Sequence, residues 1–141
     1  MGSDVAIPNG QIKNSAVVLC VDDEAVGLSV RKAVLESQGY SVFTAENGAD
    51  ALALFSAELI DLVILDYKMP EMNGDIVAER MKRLKPFVPI LMLSAYVDLS
   101  REMLEIVDKG MTKGEAVPIL LGAIADLLSV SHRRSEAISV E

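Results

Sequence analysis

The sequence predicts an α/β fold, a doubly wound five-stranded parallel sheet covered by helices on both faces. Three observations lead there. The runs AVVLCV ending at Val21, LVILD ending at Asp66 and PILML from Pro89 to Leu93 are short, apolar and rich in branched residues, as strands buried on both sides must be. Between them the apolar spacing changes to that of helices. The order strand then helix recurs five times, which favours a parallel sheet with right-handed crossovers.

The first strand takes in Ala16 to Val21, with Cys20 packed as a small hydrophobe. As the single cysteine of the chain it excludes an intramolecular disulfide. The following helix is expected to bury Val26, Val30, Ala33 and Val34, and Gly39 stands where it would stop. Tyr40 to Ala45 is a weaker strand. Asn47 is a candidate N-cap for a helix that buries Ala51, Leu52, Phe55 and Leu59. After the strand ending on Asp66 comes a stripe of Ile76, Val77, Met81 and Leu84, closed by Pro86. Past Ser94, the residues Leu99, Met103 and Ile106 suggest a short fourth helix, and Gly110 to Thr112 a very short fifth strand. Val117, Leu120, Leu121, Ile124, Leu127 and Leu128 form the clearest stripe, and Pro118 fits only in the first turn of that helix. Residues 1–15 and 131–141 are polar and aperiodic and read as flexible tails, which leaves 16–130 as the folded domain.

Composition narrows the function. A chain of 141 residues supports one domain with a proper core. Apolar residues make up 51% of it, yet no run approaches the roughly 20 residues that a membrane-spanning helix needs. Its start has no basic segment leading into an apolar stretch, so a soluble, cytoplasmic protein is expected. With 13 basic against 21 acidic residues the net charge is −8, which repels nucleic-acid backbones and anionic lipid. Direct DNA binding is not expected, and output has to pass through another protein.

In an open α/β sheet, ligands bind beyond the carboxyl ends of the strands, where the strand order reverses. Asp22, Asp23 and Glu24 follow the first strand, Asp66 ends the third, Ser94 follows the fourth and Lys113 the fifth. Clustered carboxylates repel one another until a hard divalent cation such as Mg²⁺ joins them. A carboxylate can also attack a phosphoryl group, giving an aspartyl phosphate, while an ammonium and a hydroxyl share the charge on its oxygens. Asp66, Lys113 and Ser94 suit those roles. Each has a plainer reading. Acids after strands commonly cap the next helix, and Glu24 is read that way; Ser94 or Lys113 alone would pass for surface residues. It is their concurrence at strand ends that favours chemistry.

The pieces VVLCVDDE, LVILDYKMPEMNG, PILMLSAY and MTKG, at this spacing, resemble the receiver domain of bacterial response regulators from Val17 to Val130. The resemblance implies a flavodoxin-like (βα)5 sheet of order 2-1-3-4-5 and a stand-alone receiver in a two-component phosphorelay. Asp66 would be the phosphoacceptor. Asp22, Asp23, Asp66 and the backbone carbonyl of Lys68 would hold Mg²⁺ or Mn²⁺, Ser94 would hydrogen-bond the phosphoryl group, and Lys113 would pair with it. Met69, Pro70 and Gly74 match the loop after the acceptor. The implied partners are a histidine kinase or histidine phosphotransfer protein and an unidentified downstream protein. Such a chain is a phosphorylated signalling domain, catalysing its own phosphoryl transfer and slow dephosphorylation, rather than a turnover enzyme.

Two departures stand out. Gly114 replaces the proline that usually follows the lysine, often through a cis bond, which before glycine costs about 2.5–4 kcal/mol. Gly110 replaces the usual switch aromatic. Tyr96, two residues after Ser94, resembles a tyrosine of some stand-alone receivers and is the switch candidate, with an ordinary loop tyrosine as the equal alternative. His132, beside Arg133 and Arg134, reads as solvated. Two other functions compete. A Mg²⁺-dependent phosphohydrolase with an aspartate nucleophile would carry a second acid two residues on, where Lys68 stands. A pseudo-receiver that binds protein without phosphorylation draws support from Gly110 and Gly114, but the acidic cluster would then cost stability without return.

Overall fold

Parallel backbone pairing of the apolar runs organises the chain. The computed structural model describes residues 16–95 and 99–139, with 132–139 as backbone alone. Strands β1 (Val17–Val21), β2 (Ser41–Ala45), β3 (Leu62–Asp66), β4 (Ile90–Ser94) and β5 (Lys109–Thr112) form one sheet in the order β2-β1-β3-β4-β5. The register sets Val21 opposite Leu65, Asp66 opposite Leu93 and Ser94 opposite Thr112, so these strands end along one edge. The winding reverses between β1 and β3, which opens a crevice at that edge.

Helices α1 (Ala25–Ser37) and α5 (Val117–Ser139) cover one face; α2 (Gly48–Ala57), α3 (Gly74–Leu84) and α4 (Arg101–Ile106) cover the other. Successive strand residues divide between the two cores. Leu19, Val63, Leu65 and Met92 pack with Phe55 and Met81, whereas Val18, Cys20, Ile64 and Leu91 pack with Leu28, Leu35 and Ile124. A central strand therefore has to be apolar at every position. Burying each large side chain contributes about 1.5–3 kcal/mol.

Local signals end the elements where the sequence places them. Gly39 adopts φ 93°, and the amides of Gly39 and Tyr40 satisfy the carbonyls of Glu36 and Leu35 at the end of α1. Asn47 accepts the Asp50 amide at 2.8 Å and donates to the Asp50 carboxylate at 3.0 Å, starting α2. Pro118 is the second residue of α5. None of the helices among the described residues is long and apolar enough to cross a membrane.

Four expectations need correction. In α1 the buried residues are Leu28 and Leu35, while Val26 and Val30 are 79% and 59% exposed. This helix has apolar residues on two sides, and docking buries the larger leucines. Leu59 is exposed and Ile60 buried, because α2 stops at Ala57, where the Lys85 ammonium takes the Phe55 and Glu58 carbonyls. In α3 the buried set is Val77, Ala78 and Met81, leaving Ile76 and Leu84 at an exposed margin. Finally, α5 runs past Val130 to Ser139. Residues 131–139 contain no glycine or proline, and the Ser131 hydroxyl donates to the Phe87 carbonyl at 3.1 Å, so nothing stops the helix at 130. Residues 1–15 lie outside the described part.

Two glycines make close approaches of different kinds. A Cβ on Gly74 would lie 2.5 Å from the Asp66 carbonyl oxygen and 3.0 Å from Tyr67 Cα, both fixed backbone. A Cβ on Gly110 would meet only side-chain ends, Leu99 Cδ1 at 2.5 Å and Leu104 Cδ2 at 2.8 Å. Gly74→Ala should therefore cost about 1–3 kcal/mol, the range for forced overpacking, and Gly110→Ala clearly less. Urea denaturation of the two variants measures this. Equal losses would show that the leucines over Gly110 cannot yield.

Candidate functional site

Asp22 follows directly on β1, Asp66 is the last residue of β3 and Ser94 the last of β4. Among the described residues these three are the buried polar or charged ones, at 1%, 4% and 4% exposure. Asp23, by contrast, is exposed, yet one carboxylate oxygen each from Asp22, Asp23 and Asp66 lie within 4.8 Å of one another. A cleft of about 380 Å³ is bordered by Asp23, Asp66, Lys68, Ser94 and Lys113. The edge of the sheet thus brings together the residues singled out from the sequence, apart from Tyr96, which lies outside the described residues, as does the side chain of His132.

The segment after Asp66 folds back onto the strand end. Gly74 donates its amide to the Tyr67 carbonyl at 2.6 Å, Met69 donates to Asn73 Oδ1 at 3.2 Å, and Met69 is buried as an anchor. Lys68 is left exposed on the rim of the cleft that Asp23 and Asp66 also line. At β5, the Lys113 amide donates to the Ser94 carbonyl at 2.8 Å, tying the ends of β4 and β5 together. No peptide bond among the described residues is cis, and Lys113 reaches the cleft with Gly114 behind it.

Lys113 Nζ lies 3.1 Å from Asp66 Oδ1, 3.1 Å from Asp22 Oδ2 and 3.6 Å from Glu24 Oε1. Burial opposes the charge on Lys113, but its bonds to Asp22 and Asp66 outweigh that and raise its pKa. Asp22 feels the same contest. Burial favours its neutral form, yet the Glu24 amide at 2.9 Å, Lys113 and Arg31 bring its pKa below 3.8. Asp66 goes the other way, pushed up from 3.8 to about 6 by burial and by the negative charge of Asp22, with Lys113 only partly offsetting them. Cys20 beneath is pushed up to about 12 by burial, as suits a core residue that keeps its proton.

Glu24 differs from its expected role. It stands at the N-cap of α1, but its side chain caps nothing there; its own amide is taken by Asp22 Oδ1, and its carboxylate faces Lys113. At 3.6 Å, and with the Glu24 side chain 74% exposed, that contact is a loose surface ion pair. Arg31 is the residue that sequence reading missed. Its NH1 lies 3.4 Å from Asp22 Oδ2, with 14% of the side chain exposed. The signal was present, since Arg31 falls between Leu28 and Leu35 on the buried stripe, where a charge has to find a partner.

Three carboxylate oxygens so close together form a hard donor set suited to a divalent ion such as Mg²⁺. Against these three negative charges stand Lys113 and Arg31, so a negative balance remains for a metal to neutralise.

Residues 18–114 match the family model of the response regulator receiver domain. At 35% identity over 122 residues the chain is similar to the autoinducer 1 sensor kinase/phosphatase LuxN of Vibrio campbellii, a match covering 86% of this chain but only 14% of that protein. Among solved structures it is similar to the CheY-like response regulator receiver domain protein of Methanospirillum hungatei. That match has a TM-score of 0.80 and 27% identity over 86% of this chain and 99% of that one. It is also similar to the response regulator TrrA of Thermotoga maritima in complex with Mg²⁺–BeF. There the TM-score is 0.76 and the identity 34%, over 79% and 98% of the two chains.

The raised pKa of Asp66 makes stability depend on pH. The metal-free folded state holds this proton more tightly than the unfolded chain does, so the stabilisation is complete below 3.8 and is lost as pH rises through about 6. Asp22, with its lowered pKa, acts in the opposite sense: its stabilisation is complete above its ordinary 3.8 and is lost as pH falls below that. Asp66→Asn should flatten the decline across that upper window and stabilise the metal-free protein near neutral pH by on the order of 1–2 kcal/mol. Thermal melts in a chelator at several pH values measure it. A variant that keeps the parent's pH slope would show that another group is responsible.

Proposed function

Since the chain belongs to the response regulator receiver domain family, we propose that it accepts a phosphoryl group on Asp66 from a histidine kinase or histidine phosphotransfer protein and signals through protein contacts. The observation that carries this reading is the Asp66 carboxylate, buried at the end of the central strand, touching Lys113 and clustered with Asp22 and Asp23. The relatives support it. LuxN is named a sensor kinase/phosphatase, and TrrA was solved with Mg²⁺–BeF.

In this mechanism an ionised Asp66 oxygen attacks the phosphorus in line with the bond to the donor nitrogen, and that bond's electron pair leaves with the imidazole. With its pKa at about 6, Asp66 is mostly ionised at neutral pH. Asp22, Asp23, Asp66 and the Lys68 carbonyl would hold Mg²⁺ or Mn²⁺, which when bound neutralises the carboxylates and draws charge from the phosphoryl oxygens. Lys113, its ammonium already at Asp66, pairs with a phosphoryl oxygen after transfer. Ser94 donates its hydroxyl to another, and its movement passes to the segment leading into α4, with Tyr96 as the switch candidate. Leu99 and Leu104 reach the place a Cβ on Gly110 would take, the position where the family usually has an aromatic.

Treatment with a small phosphodonor such as phosphoramidate should give an acid-stable, base-labile adduct that requires Mg²⁺ and is absent from Asp66→Asn by intact-protein mass spectrometry. A full adduct on that variant would overturn the assignment. Removing a charge from the cluster should relieve repulsion, so Asp23→Ala should melt higher than the parent without metal and respond little to added Mg²⁺. If Mg²⁺ stabilises that variant as it does the parent, the ion is held elsewhere.

A further inference from the structure

Arg31 occupies a place where a charge is costly. It lies three residues after Leu28 and four before Leu35, the two residues that α1 buries, so its side chain starts from the core-facing stripe and extends to the rim at Asp22. Asp22 is already well supplied. Its Oδ1 accepts the Glu24 amide at 2.9 Å, and its Oδ2 faces Lys113 at 3.1 Å as well as Arg31 at 3.4 Å. The two cations are not equivalent. Lys113 also contacts Asp66, where a phosphoryl group would arrive, whereas Arg31 extends from the Leu28–Leu35 side of α1 and pairs with Asp22.

We propose that Arg31 is a positioning residue that competes for Asp22 and so holds down the affinity of the acidic cluster for divalent cations. This inference rests on the reading of that cluster as a Mg²⁺ site. A guanidinium against one oxygen of Asp22 both occupies that carboxylate and repels an ion bound to it. Charges joined through one carboxylate lie well inside a Debye length, roughly 8–10 Å at ordinary salt, so the solution does not cancel the repulsion. The same contact gives Arg31 a second effect. When Lys113 turns to a phosphoryl group, Asp22, 1% exposed, keeps a counter-charge and does not have to be protonated or displaced.

Calorimetric titration of the full chain with Mg²⁺ alone tests this. Arg31→Gln should bind Mg²⁺ roughly tenfold more tightly than the parent, the order of effect of removing one nearby charge that repels a divalent ion in a well-solvated rim. Arg31→Lys should return to near the parent value, which a purely structural role would not produce. Arg31→Met keeps the length of the side chain and suits the apolar stripe; it should tighten binding as Gln does, and it carries the test if Gln folds poorly. Unchanged or weaker Mg²⁺ binding in both neutral variants, with normal binding by the parent, overturns the role of Arg31 alone. Absence of Mg²⁺ binding by the parent overturns the reading of the cluster, and this inference with it.

Discussion

Lys113 bridges two buried carboxylates, Asp22 and Asp66, at 3.1 Å each, and the placement of that ammonium depends on most of the fold. It hangs from the end of β5, the edge strand, while its partners end β1 and β3 nearer the middle of the sheet. The chain crosses from one to the other only because β4 stands between, and the Lys113 amide is pinned to the Ser94 carbonyl. Without the ammonium the two acids would face each other in a poorly solvated crevice, where like charges drive one of them to keep its proton.

Even with the bridge, the charges do not balance. Asp22 receives a backbone amide and two cations and stays ionised, whereas Asp66 receives one cation and bears the field of Asp22, so its carboxyl is the one pushed up. The asymmetry is useful for the proposed chemistry. A nucleophile has to have a free oxygen, and a ligand held by several donors is poorly placed to attack. The same asymmetry is a cost to the metal-free fold, which is the usual relation between a site built for function and the stability of the scaffold around it.

Much of this was legible in the chain. Strand runs that are apolar throughout can only be central in a sheet covered on both faces, and Gly39, Asn47, Pro86 and Pro118 mark helix ends by backbone chemistry that acts locally. The acids, Ser94 and Lys113 were legible for the same reason, because position relative to a strand end is a property of sequence order once the fold class is known. Helix faces were less so. Both sides of α1 carry apolar residues, and the choice of Leu28 and Leu35 over Val26 and Val30 depends on what the sheet and α5 present to it.

By itself, then, the sequence determined the α/β class, the order of the elements and the residues placed at the carboxyl edge, since these follow from periodicity, caps and turns within a few residues of each position. The tertiary structure alone decided which carboxylate is raised and which lowered, that Glu24 turns from its helix toward Lys113, and that Arg31 reaches Asp22 from the next helix. Those outcomes depend on distances of a few ångströms between segments far apart in the chain. Electrostatic energy is set by separation and burial, and neither is written in the order of residues.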